Sequence, residues 1–595
     1  VSRESAALVH HGLDAHRRGD LIAAGSAYES ALQADPADAD AHNLLGAIAF
    51  SRREFVTAER FFDAAIAYAP ALDGARFNRG RVREALGRPA EALCDYAAVS
   101  PQADIAADAA IRTGSIHVEA GDFAAAAAAL QRALALRPDR PGLAVDLAVA
   151  EIELGRMNDA AAHLEAALAL NPADIRARVA LVHVRRASGD LAAADRIVEA
   201  LLADAPAEPL AWLGRGRVRY DRGELEGAEH DFRRAAELAP GRHEPYTNLN
   251  VVAHAAGRLA DAIAHGEAAI ARAPADAEAH LNLGMSYLMA GDFARGWPNF
   301  EYRLARPSAR AADVYRDRLP RLAETTPAGS RVLVARDQGA GDFIAFSRFF
   351  PRLTARGLDV AVECPPGLEP LYAASADLAA VFGGRSDPAR AAGMDAYVPL
   401  GSVPMSTGVT DLLRDGAAVP YLAADRRRVA AFRTRLEPAP GRLKVGIAWA
   451  GSAAHASDRH RSCGLAAFAP LADLPQIDWY ALQTGERAFE PAPPGLALQR
   501  LEPVLTDYGD TAAALALLDL LIAVDTSVVH LAGALGRPVW TLLGFETYWL
   551  WGAHGETTPW YPTMRLFRQS SYGDWPGVFT RVRAALSQLL TIQAI

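Results

Sequence analysis

PLAWLGRGRVRYDRGELEGAEHDFRRAAELAP, residues 209–240, decides the fold of half the chain. Trp212, Gly216, Ala228, Phe232, Ala235 and Pro240 stand at offsets that recur every 34 residues, nine times without insertion or deletion, up to about residue 303. Pro36, Pro70, Pro138, Pro172, Pro206, Pro240 and Pro274 share one register. Ala24, Ala58, Ala92, Ala126, Ala160, Ala194, Ala228 and Ala262 sit twelve residues before those prolines or before the equivalent position 104. Gly12, Gly46, Gly80, Gly114, Gly216 and Gly284 hold a third fixed place. Three columns in phase mean two helices per unit, each with a small residue where its partner crosses. A large apolar residue one turn after the alanine (Tyr28, Phe62, Tyr96, Leu130, Leu164, Val198, Phe232) is expected to fill the space between units. Proline stops the second helix. Such units bury their apolar faces only by stacking, so the expectation is a helical solenoid that holds another protein.

This Leu-Gly, Ala, aromatic, Ala, Pro pattern resembles the tetratricopeptide repeat. The ninth unit begins in register with His280, Asn282, Leu283, Gly284 and Tyr287, then departs in GDFARGWPNFEYRL, as a capping repeat does. Net charge is −10, which argues against a nucleic-acid surface. Cys94, Cys364 and Cys463 are too few and scattered for a disulfide framework or zinc site. No run of 18 apolar residues occurs, and the longest candidate, Ala512 to Val524, is broken by Asp519. The opening VSRESAALVH has no apolar signal core, so a cytoplasmic protein without membrane insertion is expected.

After Ser330 the pattern changes. RVLVA (331–335), DVAVEC (359–364), KVGIAWAG (444–451), DWYALQTG (478–485), DLLIAVDTS (519–527) and RPVWTLLG (537–544) alternate with helical stretches, the signature of parallel sheets. A Pro- and charge-rich segment near 423–442 divides two blocks, which suggests two doubly wound lobes with a cleft between them.

Polar residues gather where strands should end. Asp525-Thr526-Ser527 follows a strand and opens a helix carrying His530, a place suited to phosphate. The alternative is that Asp525 or Thr526 is only an N-cap. Ser452 is followed by His455, Asp458, Arg459, His460, Arg461 and Ser462, an anion clamp or a solvated loop. Gln483-Thr484-Gly485 ends another strand, and Asp510-Thr511 opens another helix. This is the plan of a nucleotide pocket without naming the nucleotide.

DTSVVHLAGALGRPVWTLL, the cluster DRHRS and PWYPTMRLFRQ (559–569) resemble the C-terminal lobe of bacterial glycosyltransferases that follow a tetratricopeptide array, relatives of the heptosyltransferases with the two-lobed GT-B fold. Gly339-Ala340-Gly341-Asp342 is similar to the Gly-Asp loop of their N-terminal lobe. The resemblance implies an α-solenoid of repeats (1–303), a linker (304–330), an acceptor-side lobe (331–425) and a nucleotide-sugar lobe (443–595), the last two forming an α/β GT-B domain of two Rossmann-like lobes. It implies Asp342 as base, Arg461 at the donor phosphate, and Asp525, Thr526 and His530 around the nucleotide-sugar. Ser457 to Gly464, Gly544 and Leu550 depart from the family's usual residues and leave the sugar open. An array joined to such a transferase implies a protein acceptor. In the similar O-GlcNAc transferase, asparagines line the groove, and here Asn78, Asn248 and Asn282 hold the equivalent positions. The layout is similar to that of alphaproteobacterial flagellin glycosyltransferases. That resemblance implies flagellin as acceptor and a CMP-activated nonulosonic sugar such as pseudaminic acid as donor. No Asp-x-Asp pair stands where a metal would bridge a diphosphate, so metal-independent transfer is expected. Heptose or hexose transfer from a nucleoside diphosphate, and an inactive repeat scaffold, are the alternatives.

Overall fold

The computed structural model describes residues 2–373, 377–436, 441–452 and 458–593. The chain divides into two compact units, Val1–Arg222 and Gly223–Ile595.

The first unit is a run of antiparallel helix pairs beginning with Arg3–Arg17 and Leu21–Ala34. Their register is held by a size exchange inside each pair. A Cβ placed on Gly12 would lie 2.3 Å from Tyr28, one on Gly46 2.6 Å from Phe62, one on Gly80 2.6 Å from Tyr96 and one on Gly114 2.8 Å from Leu130. The large residue therefore covers the glycine of its own unit, sixteen residues earlier, and also packs against the next unit as expected: Tyr28 clusters with Leu45 and Ile48, and Phe62 with Ala75 and Val82. Where the first helix carries Ala148 or Val182, the facing residue shrinks to Leu164 or Val198, all four buried. In the second unit Asn250 takes the column, and its partner becomes Gly266, where a Cβ would lie 3.1 Å from the Asn250 amide. Close packing explains the trend: a larger residue on the first helix leaves room only for one smaller than an aromatic ring on the second.

A further column was not singled out in the sequence. Gly19, Gly87, Gly121, Gly155, Gly189, Gly223, Gly257 and Gly291 all have φ between +71° and +80° at the turn between paired helices, and Arg53 adopts +62° at the same register. The left-handed conformation closes the first helix there.

Gly46→Ala is expected to destabilise the first unit by about 1 kcal/mol, because overpacking of about 2 kcal/mol outweighs the helix-propensity gain of about 1 kcal/mol. Adding Phe62→Leu should recover part of the loss. A urea-denaturation double-mutant cycle measures the coupling.

The second unit opens with the repeat helices Leu225–Leu238, Glu244–Ala255, Leu259–Arg272, Ala277–Met289 and Phe293–Phe300. Two parallel sheets follow. One has strands β1 (Arg331–Ala335), β2 (Asp359–Glu363), β3 (Ala380–Phe382) and β4 (Ala396–Pro399) in the order β3-β2-β1-β4. The other has β5 (Leu443–Ala448), β6 (Ile477–Ala481), β7 (Leu498–Arg500), β8 (Leu520–Val524), β9 (Val539–Leu543) and β10 (Met564–Arg568) in the order β10-β9-β8-β5-β6-β7. This is doubly wound topology, with the switch between β1 and β4 in one sheet and between β5 and β8 in the other.

The terminal repeat is a joint as well as a cap. Trp297 is buried, donates its indole N–H to the Val409 carbonyl at 3.0 Å, and meets Trp549 edge-on with centroids 5.6 Å apart. A Cβ on Gly296 would lie 2.6 Å from Leu288, so glycine replaces the usual alanine to admit that leucine. One apolar core then runs from Leu288 through both sheets to Leu566. The 304–330 segment is not a loose connection: Tyr315 is buried against Leu333, Ala361 and Tyr397 on the first sheet. Among the described residues no helix is long and apolar enough to cross a membrane.

Candidate functional site

Each switch point sends one helix start toward the other. The helix Ala340–Ser347 follows β1, and Ser527–Ala534 follows β8. They meet at Gly341, where a Cβ would lie 2.9 Å from His530 Cδ2 and 3.7 Å from Ser527 Cα. Only glycine allows that approach, which brings Asp342 within electrostatic reach of Asp525.

The two carboxyls are half-buried, with protein crowding them. Burial, then the charges of Asp525 and Asp337, pushes the Asp342 carboxyl up to about 7, against the pull of the Gly339 backbone and the Tyr548 hydroxyl. Burial also raises the Asp525 carboxyl, while the Trp551 indole and Arg461 favour its ionised form. Arg461 stands beside Asp458 at 3.5 Å and close to Gly451, where a Cβ would lie 2.6 Å from its guanidinium. Asp458 is itself held in place: it accepts from Ser462 Oγ at 2.9 Å and faces Arg487 at 3.6 Å. Ser462 Oγ in turn accepts from Gly451 N at 3.0 Å.

Thr526 occupies the N-cap of its helix without capping it through its side chain. Its Oγ1 is enclosed and has no hydrogen-bond partner among the described residues. Such a group at a helix start fits a polar ligand atom. Ser527 Oγ pairs with Tyr508 Oη at 2.7 Å. His530 is buried, which drives its imidazole down to about 3 and keeps it neutral.

Other expected contacts lie differently. Gln483 Oε1 accepts from the Trp449 and Ala450 N–H groups at 3.1 and 3.0 Å, joining β5 to the end of β6. Asp510 pairs with Arg428 at 2.7 Å and accepts from Thr506, and Thr511 Oγ1 donates to the Asp507 carbonyl. Gln483, Asp510 and Thr511 are thus engaged in holding the fold. Ser452, Thr484 and Gly485 are exposed, and the His460 carbonyl abuts Gly544. His455, and the side chain of Arg459, lie outside the described residues. Asn78, Asn248 and Asn282 are half-buried on the first helices of their repeats, and Asn78 donates to Asn43 Oδ1 at 3.2 Å while Asn248 donates to the Glu244 carbonyl at 2.6 Å.

The sequence reading missed Tyr548, Trp551, Tyr561 and the Arg303–Asp337 pair. Arg303 is 7% exposed and joins Asp337 at 2.8 Å, Glu301 at 2.7 Å and Ser402 at 2.8 Å, while Asp337 Oδ1 accepts from Gly401 N at 3.0 Å. It ties the end of the repeats to the switch point of the first sheet. Arg303→Met should destabilise the second unit by about 3 kcal/mol, because two half-buried carboxylates, Asp337 and Glu301, lose a buried cation. Chemical denaturation followed by tryptophan fluorescence checks this.

The geometry defines a repeat protein with a second part built on two parallel sheets. The N-terminal half is a tetratricopeptide-repeat solenoid: sequence models of that repeat match residues 114–185 and, in a second form, 11–73, 179–243 and 252–296. Protein FlbA of Caulobacter vibrioides is 28% identical over 320 residues, 49% of this chain and 52% of FlbA. The Hsp70-Hsp90 organizing protein of Triticum aestivum is 36% identical over 113 residues, 19% of each chain. The chain thus spans about half the length of FlbA and a fifth of the wheat protein. A tetratricopeptide repeat protein from Parabacteroides merdae aligns with 18% identity and a TM-score of 0.29, over 40% of this chain and 94% of that one.

Proposed function

We propose that this protein is a GT-B-type protein O-glycosyltransferase that captures its acceptor through the repeats. The observation that carries this reading is the meeting of two helix starts, from the switch points of two doubly wound sheets, around Asp342 and Asp525. Ligands of such sheets bind beyond the strand carboxyl ends at those points. A carboxyl titrating near neutral pH is matched to general-base work.

In this reading an acceptor Ser or Thr hydroxyl attacks the anomeric carbon and loses its proton to Asp342. The bond from that carbon to the donor's phosphate oxygen breaks, and the electron pair leaves with the nucleotide. Arg461 and the N–H groups at Thr526 and Ser527 meet the charge as it develops, so they lower the barrier more than they bind the ground state. The orphan Thr526 hydroxyl supplies a further contact. The reaction needs no metal. Likeness to FlbA supports a flagellar setting. Flagellin as acceptor and a CMP-activated nonulosonate such as pseudaminic acid as donor belong to the reading itself and rest on the resemblance drawn from the sequence.

The test is transfer by the purified protein from CMP-pseudaminic acid to flagellin, read by intact mass. No mass gain with this donor or with nucleoside-diphosphate heptoses or hexoses would overturn the reading. Asp525→Ala should cut transfer about a hundredfold or more and leave flagellin capture in a pull-down unchanged. Retained transfer would reduce Asp525 to a structural part.

A further inference from the structure

His530 is held from behind by a chain of hydroxyls whose polarity can be read from its far end. Tyr421 Oη donates to the Ile344 carbonyl at 3.0 Å. A carbonyl only accepts, so the Tyr421 proton is used there and its oxygen is left as an acceptor. Tyr561 Oη lies 3.4 Å from Tyr421 Oη and 3.0 Å from His530 Nδ1. Tyr561 has one proton. Given to Tyr421, it leaves the Tyr561 oxygen to accept from His530 Nδ1–H, and every contact carries a proton. Given to His530, it leaves Tyr421 and Tyr561 facing each other oxygen to oxygen with none.

We infer that this chain holds His530 as the Nδ1–H tautomer, with Nε2 as a lone-pair acceptor at the Gly341 turn that takes a hydroxyl or N–H group of the ligand and rejects phosphate oxygens. The tautomer of a histidine is set by the bond its other nitrogen makes. Nε2 makes no hydrogen bond among the described residues. A Cβ on Gly341 would stand 3.3 Å from it, so glycine keeps that edge open. The resemblance placed His530 around the nucleotide-sugar without naming the group it meets; the chain assigns it to a hydroxyl or N–H group. That the hydroxyl belongs to a sugar rests on the proposed transferase reading, whereas the tautomer does not.

The test uses the full-length protein labelled with 15N-histidine, the His530 signals being identified by their loss in His530→Gln. The wild type should show Nδ1 protonated and Nε2 unprotonated from about pH 5 to about pH 8. Tyr421→Phe touches no atom of His530 but removes the proton that orders the chain, leaving the Tyr561 proton without its acceptor. Its His530 signals should move toward the Nε2–H form, as should those of Tyr561→Phe. Inorganic phosphate should leave the wild-type Nε2 signal in place and shift it in Tyr421→Phe. A wild-type Nε2–H form, an unchanged tautomer in Tyr421→Phe, or a phosphate shift in the wild type would each overturn the inference. The expected tautomers together with absent glycosyl transfer would sink the transferase reading alone.

Discussion

Asp342→Asn should lower transfer by about three orders of magnitude, within the range expected for loss of a general base, while flagellin capture stays intact. The pH dependence makes the expectation specific. A base must be ionised to accept a proton, and this carboxyl titrates at about 7. Transfer should therefore rise with pH and level off above about 7, whereas an ordinary aspartate would reach its plateau near pH 5. Removing the neighbouring charge with Asp525→Asn should move the inflection of the residual activity downward, because that charge helps hold the Asp342 proton. Stability should answer with the opposite sign. The folded carboxyl titrates above its value in the unfolded chain, so between about pH 4 and pH 7 the native state keeps a proton that the unfolded state has lost, and stability falls as pH rises through that window. Asp342→Asn removes this cost and should raise the unfolding free energy at pH 8 by on the order of 2 kcal/mol, with little change at pH 4. Urea titrations at the two pH values check it. An inactive variant that is also less stable at pH 8 would make Asp342 a structural residue.

Arg461→Ala should lower turnover about a hundredfold, some 3 kcal/mol of transition-state stabilisation. The guanidinium is within electrostatic reach of Asp525 and is braced by Asp458, so it is positioned before the donor arrives. Arg461→Lys should rescue in part, because an ammonium keeps the charge and loses the planar fork. Asn248→Ala should cost about 1 kcal/mol at most, as one neutral hydrogen bond among many groove contacts, and should be masked at saturating acceptor. Initial rates with CMP-pseudaminic acid and purified flagellin compare the three. If Asn248→Ala proves the more damaging at saturation, the donor phosphate does not sit beside Arg461.

Much of this architecture can be read from the chain because repetition turns weak preferences into a phase. One glycine at position 46 says little, but glycine at 12, 46, 80 and 114 marks a helix crossing, and the structure supplies the aromatic ring or leucine over each. The strands were legible where they are long and apolar, as in β1, β5 and β8. Short edge strands such as β3 and β7, with three residues each, offer no period to detect and exist because a neighbour pairs with them.

The candidate site divides in the same way. Asp342, Asp525, Thr526 and His530 stand at the local junction of strand and helix, and local order is what a sequence records. Gln483 and Asp510 stand at similar junctions but are taken up by the Trp449 and Ala450 amides and by Arg428, partners that only the fold brings near. Tyr421, Tyr548 and Tyr561 had no pattern to reveal them, since aromatic residues there read as core.

The sequence by itself determined the helical pairing, the repeat register and the alternation that makes parallel sheets, because each follows from residues a few positions apart or from a strict period. Only the tertiary structure decided that the ninth repeat is welded to the sheets through Trp297 and Arg303, and that the charge of Asp525 bears on Asp342. It alone decided which nitrogen of His530 faces the Gly341 turn. Those facts depend on burial and on contacts between residues up to hundreds of positions apart, and both arise only when the apolar core closes around polar groups that must then find partners.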